Sequence, residues 1–308
     1  MKRLLFVAAV LLQVTAVGAQ ADTPSFPVLK GPYLGQKPPG NTPEVFAPGI
    51  VSTAAHEFSC SFTPDGREFY FARRDSGLNQ IVVMVTRLRD SVWTKPEVAP
   101  FVENQFSFEP TVTPDNKRLY FSSGRSMPGQ TGPAMNILSV ERVGDVWGTA
   151  KDPGAPLNPG KAMAVSVAAS GTIYTTDISG GPGKQCIAVS HRIGGQYRTL
   201  ERMGPPIGGD AQRMYPFIAP DESYLVFTEV RPSDKIRNIL LVSFRKADGS
   251  WGEPGPIDLG MEAALPFVSS DGKFLFFTSG ERGKSDIYWV SAAVLDALRP
   301  KAKKTGSK

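Results

Sequence analysis

Hydrophobic positions in this chain fall in short runs, each closed by a cluster of Pro, Asp, Gly or Asn, and the clusters recur at a nearly fixed interval. The first unit reads Ser59-Cys60-Ser61-Phe62-Thr63-Pro64-Asp65-Gly66-Arg67-Glu68-Phe69-Tyr70-Phe71. Counterparts run from Glu109 to Phe121, from Tyr215 to Phe227 and from Leu265 to Phe277, with a degenerate copy from Val165 to Tyr174. The turn positions 65, 115, 170, 221 and 271 are separated by 50, 55, 51 and 50 residues. Such a period marks a repeat architecture, in which each unit buries its apolar face against the next. In the turn, Pro fixes φ at the second position, Asp is tolerated at the third and Gly suits the fourth. The flanks are aromatic and β-branched, which predicts two strands around each turn.

A second hairpin follows in every unit. Its first strand is Gln80-Ile81-Val82-Val83-Met84-Val85, with counterparts starting at Asn136, Gln185, Asn238 and Asp286. A short polar turn then leads to Trp93, Trp147, Tyr197 and Trp251, which predicts four strands per unit with the aromatic packed between sheets. The fifth unit lacks its fourth strand. Asn41-Thr42-Pro43-Glu44-Val45-Phe46-Ala47-Pro48 resembles Thr94-Lys95-Pro96-Glu97-Val98-Ala99-Pro100 and stands in the same place before the next unit. An N-terminal strand that completes the last sheet closes the ring and covers its edges. The expected fold class is all-β, a five-bladed β-propeller closed by an N-terminal strand.

The motif Pro-Asp-Gly-x-x-Phe/Leu-Tyr/Phe-Phe, with Asp286-Ile287-Tyr288 in a following strand, resembles the WD-repeat-like propeller repeats of exported bacterial proteins. The same repeats form the propeller of the Tol system's periplasmic component. The resemblance covers roughly residues 43–292 and implies fold rather than function, since the repeat is reused in many settings. The third unit departs from it, with Ser170-Gly171 for Asp-Gly and Thr175-Thr176 for the aromatic end.

Charge looks different once it is partitioned. The formal net charge is +5, from 34 Lys and Arg against 29 Asp and Glu. Two of the basic residues lie in the first 21 positions and five in the last ten, where there are no acids, so the body carries 27 against 29. Phosphate recognition needs a basic folded face, and no nucleic-acid partner is expected. Lys2-Arg3, the apolar run from Leu4 to Val17 and Ala19-Gln20-Ala21 follow the order of a secretory signal peptide cleaved after Ala21. That run is too short to span a bilayer, and no transmembrane segment is expected in the mature chain. The expected organisation is a signal at 1–21, a strap at 22–42, the propeller at 43–298 and a disordered basic tail at 299–308. The protein is expected to be periplasmic or secreted, and monomeric. Cys60 and Cys186 fall in non-adjacent units, so no disulfide is expected between them.

Candidate chemistry is sparse. Asp65, Asp115, Asp221 and Asp271 all sit in the same turn, where a carboxylate caps local N–H groups. Only His56 and His191 are available as histidines, and the chain has neither a Gly-x-Ser-x-Gly elbow nor a metal-ligand motif. No cofactor and no metal are expected. Inner-strand starts and second-strand ends emerge on one face of the ring, where charged loops over a rigid scaffold favour binding. The candidate ligand-binding residues there are Glu57, Arg73, Phe108, Glu109, Arg125, Tyr215, Arg231 and Arg282. The expected role is a non-catalytic binding or scaffold module for a protein, peptide or glycan. The alternative is a carbohydrate-active hydrolase using Glu57 and Glu109 as its acid pair, with Asp177 the only loose candidate for a third acid. The plain alternative is that these acids pair with Arg73 and Arg125 on a solvated rim.

Overall fold

The computed structural model describes residues 26–300, apart from 76, 78, 104, 128–134, 159–160, 234–235 and 282. The expected signal at 1–21, Arg282 and the last eight residues therefore lie outside the described residues. The chain forms a five-bladed β-propeller. Blade 1 pairs Glu57–Phe62, Glu68–Asp75, Gln80–Arg89 and Val92–Trp93; blade 2 pairs Ser107–Val112, Arg118–Ser123, Asn136–Val143 and Val146–Trp147. Blade 3 pairs Ala162–Val167, Ile173–Asp177, Cys186–Ser190 and Glu201–Arg202; blade 4 pairs Gln212–Ile218, Tyr224–Val230, Asn238–Phe244 and Gly255–Pro256. Blade 5 is built from Ala264–Val268, Phe274–Glu281 and Lys284–Ser291, and its outer strand is the N-terminal Glu44–Val45. Glu44 lies opposite Trp289 and Val45 opposite Tyr288, so the earliest strand closes the ring on the latest sheet.

Turn chemistry explains the hairpins. The Thr63 hydroxyl donates to Asp65 Oδ1 at 2.6 Å, and the same carboxylate accepts the Arg67 N–H at 3.0 Å. Thr113 and Asp115 repeat this arrangement, as do Ser269 and Asp271. These aspartates are turn caps.

The outer strands differ from the simple expectation. In blades 1 to 4 the outer strand is split, with the aromatic residue first and the rejoining residues a few positions later. In blade 1 both Val92–Trp93 and Glu97–Val98 pair with the third strand. In blade 3 Tyr197 belongs to a separate hairpin and Glu201–Arg202 makes the ladder. Proline between the two pieces of blades 1 and 4, at Pro96 and Pro254, has no N–H to continue the ladder. The kink frees the aromatic to turn under the preceding blade. Trp147 Nε1 donates to the Tyr70 hydroxyl at 2.6 Å, and Trp251 meets Tyr174 edge-on at 6.4 Å. At the seam of blades 5 and 1, Trp93 is buried with Phe46, Phe276 and Trp289. Tyr33 and Leu34 seal this seam, with Tyr33 5.0 Å from Phe274 and its hydroxyl donating to Asp271 at 2.9 Å.

Candidate functional site

Every inner strand carries a bulge at one equivalent residue: Ser59, Glu109, Ala164, Tyr215 and Leu265, all at φ between 44° and 55°. The ladder to the second strand shifts register at each of these points. Left-handed backbone at a non-glycine residue is costly and needs surrounding support. The support is a ring of hydroxyls. The bulge N–H donates to the blade before it: Ala164 to Ser122, Tyr215 to Thr176, Leu265 to Thr228 and Ser59 to Thr278, at 2.8–3.2 Å. The fifth position on a second strand is Ala72, which has no hydroxyl. There the Ser59 side chain substitutes and accepts the Glu109 N–H at 3.2 Å.

The five bulge residues together line the neck of the axial channel. Above the neck the channel widens into a funnel of about 840 Å³, whose lining includes His56, Phe58, Phe108, Glu109, Met214 and Tyr215. Below it a second cavity, about 370 Å³, opens among the tight turns and is walled by Phe62, Val112, Phe217 and Phe267.

Glu109 sits where funnel and neck meet, with only 4 % of its surface exposed. Ser122 Oγ donates to its Oε2 at 2.6 Å. Burial pushes its carboxyl up to about 7, against the downward pull of the Ser122 hydroxyl and the Ala164 backbone. No ion pair involves Glu109 among the described residues. Tyr215, which lines the same neck, is raised by burial and then by the charge of Glu109. The wall beside them is aromatic: His56 stacks on Phe58 at 4.8 Å, Phe58 lies 6.0 Å from Phe108, and Phe108 lies 5.1 Å from Phe106. Burial holds His56 below its ordinary value, Glu57 opposing and Arg74 assisting. The Ser285 hydroxyl sits 2.9 Å from His56 Nδ1.

The structure brings Phe108, Glu109 and Tyr215 together and places the other described sequence-predicted residues elsewhere. Glu57 is fully buried and turned away from the funnel, bound by Arg73 Nε at 2.8 Å and by the Thr53 hydroxyl at 2.6 Å. Arg73 also ties down the Ile50 and Val51 carbonyls. Blade 4 repeats this tie with the charges exchanged, Arg213 pairing with Glu229 and holding the Pro206 and Ile207 carbonyls. Arg125 pairs with Glu103 at 3.0 Å rather than with Glu109, and Arg231 pairs with Glu229 at 2.8 Å. Asp177 pairs with Arg202 on the outer strand. Arg282 falls outside the described residues.

Asn238, Glu262 and Ser285 line the funnel and were not among the predicted site residues. The signal for two of them was available: third strands start beside second-strand ends, so Asn238 and Ser285 had to emerge on the same face. Cys60 lies in blade 1 and Cys186 in blade 3, both as free thiols. No group of three or more His, Cys, Asp or Glu able to hold a metal occurs among the described residues. No helix among them is long and apolar enough to cross a membrane.

No protein-family model matches the chain, and no curated protein is significantly similar to it in sequence. Solved structures do resemble it. An endo-arabinase of Bacteroides thetaiotaomicron VPI-5482 has TM-score 0.50 and 15 % identity, covering 84 % of this chain and 98 % of its own. A TolB-like protein of Agrobacterium tumefaciens has TM-score 0.47 and 15 % identity, covering 78 % of each chain. An α-L-arabinofuranosidase from Lactobacillus brevis has TM-score 0.48 and 12 % identity, covering 75 % of this chain and 89 % of its own. At these identities the likeness is one of fold alone.

Proposed function

We propose that this chain is an exported propeller whose funnel is a binding site, with Glu109, Tyr215 and Phe108 as its anchors. One observation carries the reading: a buried carboxyl with no ion-pair partner among the described residues stands at the floor of an open, aromatic-walled funnel. A rigid ring keeps these groups in place without ligand, so little ordering entropy opposes binding. Tyr and aromatic anchors in a concave site are where binding energy concentrates. The ligand class the sequence suggests is a protein, peptide or glycan, and export follows from the N-terminal signal pattern.

Glycoside hydrolysis is the second reading, and one observation favours it. A carboxyl raised to about 7 has the protonation state a general acid needs near neutral pH. The anticipated partner, Glu57, is committed to Arg73 and Thr53, so Glu109 lacks the second carboxylate that the mechanism requires at that position.

The test retains components of an envelope extract on immobilised mature protein, beside the Phe108→Ala and Tyr215→Ala variants. The binding reading predicts a component held by the unaltered protein and reduced at least tenfold on both variants. Equal retention on all three overturns it. Turnover of any glycoside in a substrate panel, abolished by Glu109→Gln, would establish the hydrolase reading instead.

A further inference from the structure

Four of the arginines near the rim are already engaged. Arg73 is taken by Glu57, Arg125 by Glu103, and both Arg213 and Arg231 by Glu229. The carboxyl at the funnel floor has neutral donors only, the Ser122 hydroxyl and the Ala164 backbone, and shares the neck with Tyr215. A buried carboxylate without a counter-ion is expensive, and a ligand that supplies the positive charge recovers that cost. The adjoining wall is lined by the rings of Phe58 and Phe108, and aromatic rings attract cations, together with apolar Met214 and Leu265. An anionic ligand would set its charge against Glu109. A divalent metal would need further oxygen or nitrogen ligands, and no such cluster occurs among the described residues.

We propose that the funnel takes an organic monocation, an ammonium or guanidinium group on an apolar body, with the charge seated at Glu109 and Tyr215 and the body against Phe58 and Phe108. This rests on the binding reading above and names its ligand class. The remaining charged side chains of the wall are Arg237, Glu262 and Glu281, with His56 above the aromatic ladder. Glu262 accepts the Arg237 backbone N–H at 3.0 Å, so it is partly engaged, whereas Glu109 is the deep carboxyl.

The experiment titrates the mature protein with benzylammonium, benzyl alcohol and benzoate, three probes of one shape and different charge, and follows binding by protein NMR. A lysine-bearing tripeptide with blocked ends forms a fourth arm and separates a free amine from a protein side chain as source. Glu109→Gln keeps the shape and the Ser122 hydrogen bond, and Tyr215→Phe is the second variant. Near-ultraviolet circular dichroism establishes that both are folded. The expected result is binding of benzylammonium or of the lysine peptide, at least tenfold tighter than either uncharged or anionic probe, with that preference lost in Glu109→Gln. Benzyl alcohol or benzoate binding as tightly in the funnel overturns the cation and leaves the binding reading standing. Failure of every probe to perturb funnel resonances overturns the cation, while the binding reading is decided separately by retention on the Phe108→Ala and Tyr215→Ala variants.

Discussion

At the scale of single residues, environment rather than residue type separates the two carboxyls that the sequence paired. Glu57 and Glu109 both sit on inner strands, but Glu57 stands two positions before the bulge of its blade and Glu109 is the bulge residue itself. The bulge turns Glu109 into the channel, while Glu57 is held in an ion pair with Arg73. Glu109 has consequences for stability. Its carboxyl is raised from an ordinary 4.5 to about 7 by burial, so the folded chain binds more protons than the unfolded chain between those values. The contribution of Glu109 is fully present below pH 4.5 and is lost as pH rises through 7. Glutamine carries no such dependence. Urea unfolding of both proteins at pH 5 and pH 8 is expected to show Glu109→Gln gaining on the parent by roughly 2–3 kcal/mol across that interval. A difference that does not change with pH contradicts the burial of this group.

Blade by blade, the elements show what the sequence could and could not disclose. The turns were legible because Thr-Pro-Asp-Gly and its variants have one conformational use, and the ring closure was legible because Thr42-Pro43-Glu44-Val45 repeats Lys95-Pro96-Glu97-Val98 in its proline and following residues. The bulges were not legible. Ser59, Glu109, Ala164, Tyr215 and Leu265 share no side-chain chemistry, and none is the glycine that ordinarily announces a positive φ. Their common feature lies on the neighbouring blade, as hydroxyls at Ser122, Thr176, Thr228 and Thr278 with Ala72 as the exception. The exception makes a test. Ser59→Ala leaves the buried Glu109 N–H without its acceptor and is expected to cost about 1–3 kcal/mol in urea unfolding. Adding Ala72→Ser restores a hydroxyl where the other four blades have one, and is expected to recover at least half of that loss. A double variant no more stable than Ser59→Ala alone would show that the five positions are not equivalent.

The whole molecule is a stiff ring with two unlike mouths, and its closure decides which residues share the funnel. The funnel-face assignment made from sequence follows from blade order, which the structure shares. The individual rim residues did not follow, because long arginines reach back to local acids and carbonyls instead of into the opening. Closure depends on a short segment. Phe46 is fully buried at the seam and its N–H donates to the Ile287 carbonyl at 2.8 Å. Glu44 and Val45 lie in register with Trp289 and Tyr288, so the last blade has no open outer edge at these positions. Amide hydrogen exchange resolved at Phe46 tests this most directly, since protection reports the free energy needed to open a hydrogen bond. The account predicts exchange at Phe46 as slow as at the core strand residues Phe71 and Phe276. Exchange at Phe46 near the rate of an unstructured peptide, with those core amides still protected, would contradict a ring closed by its N-terminal strand.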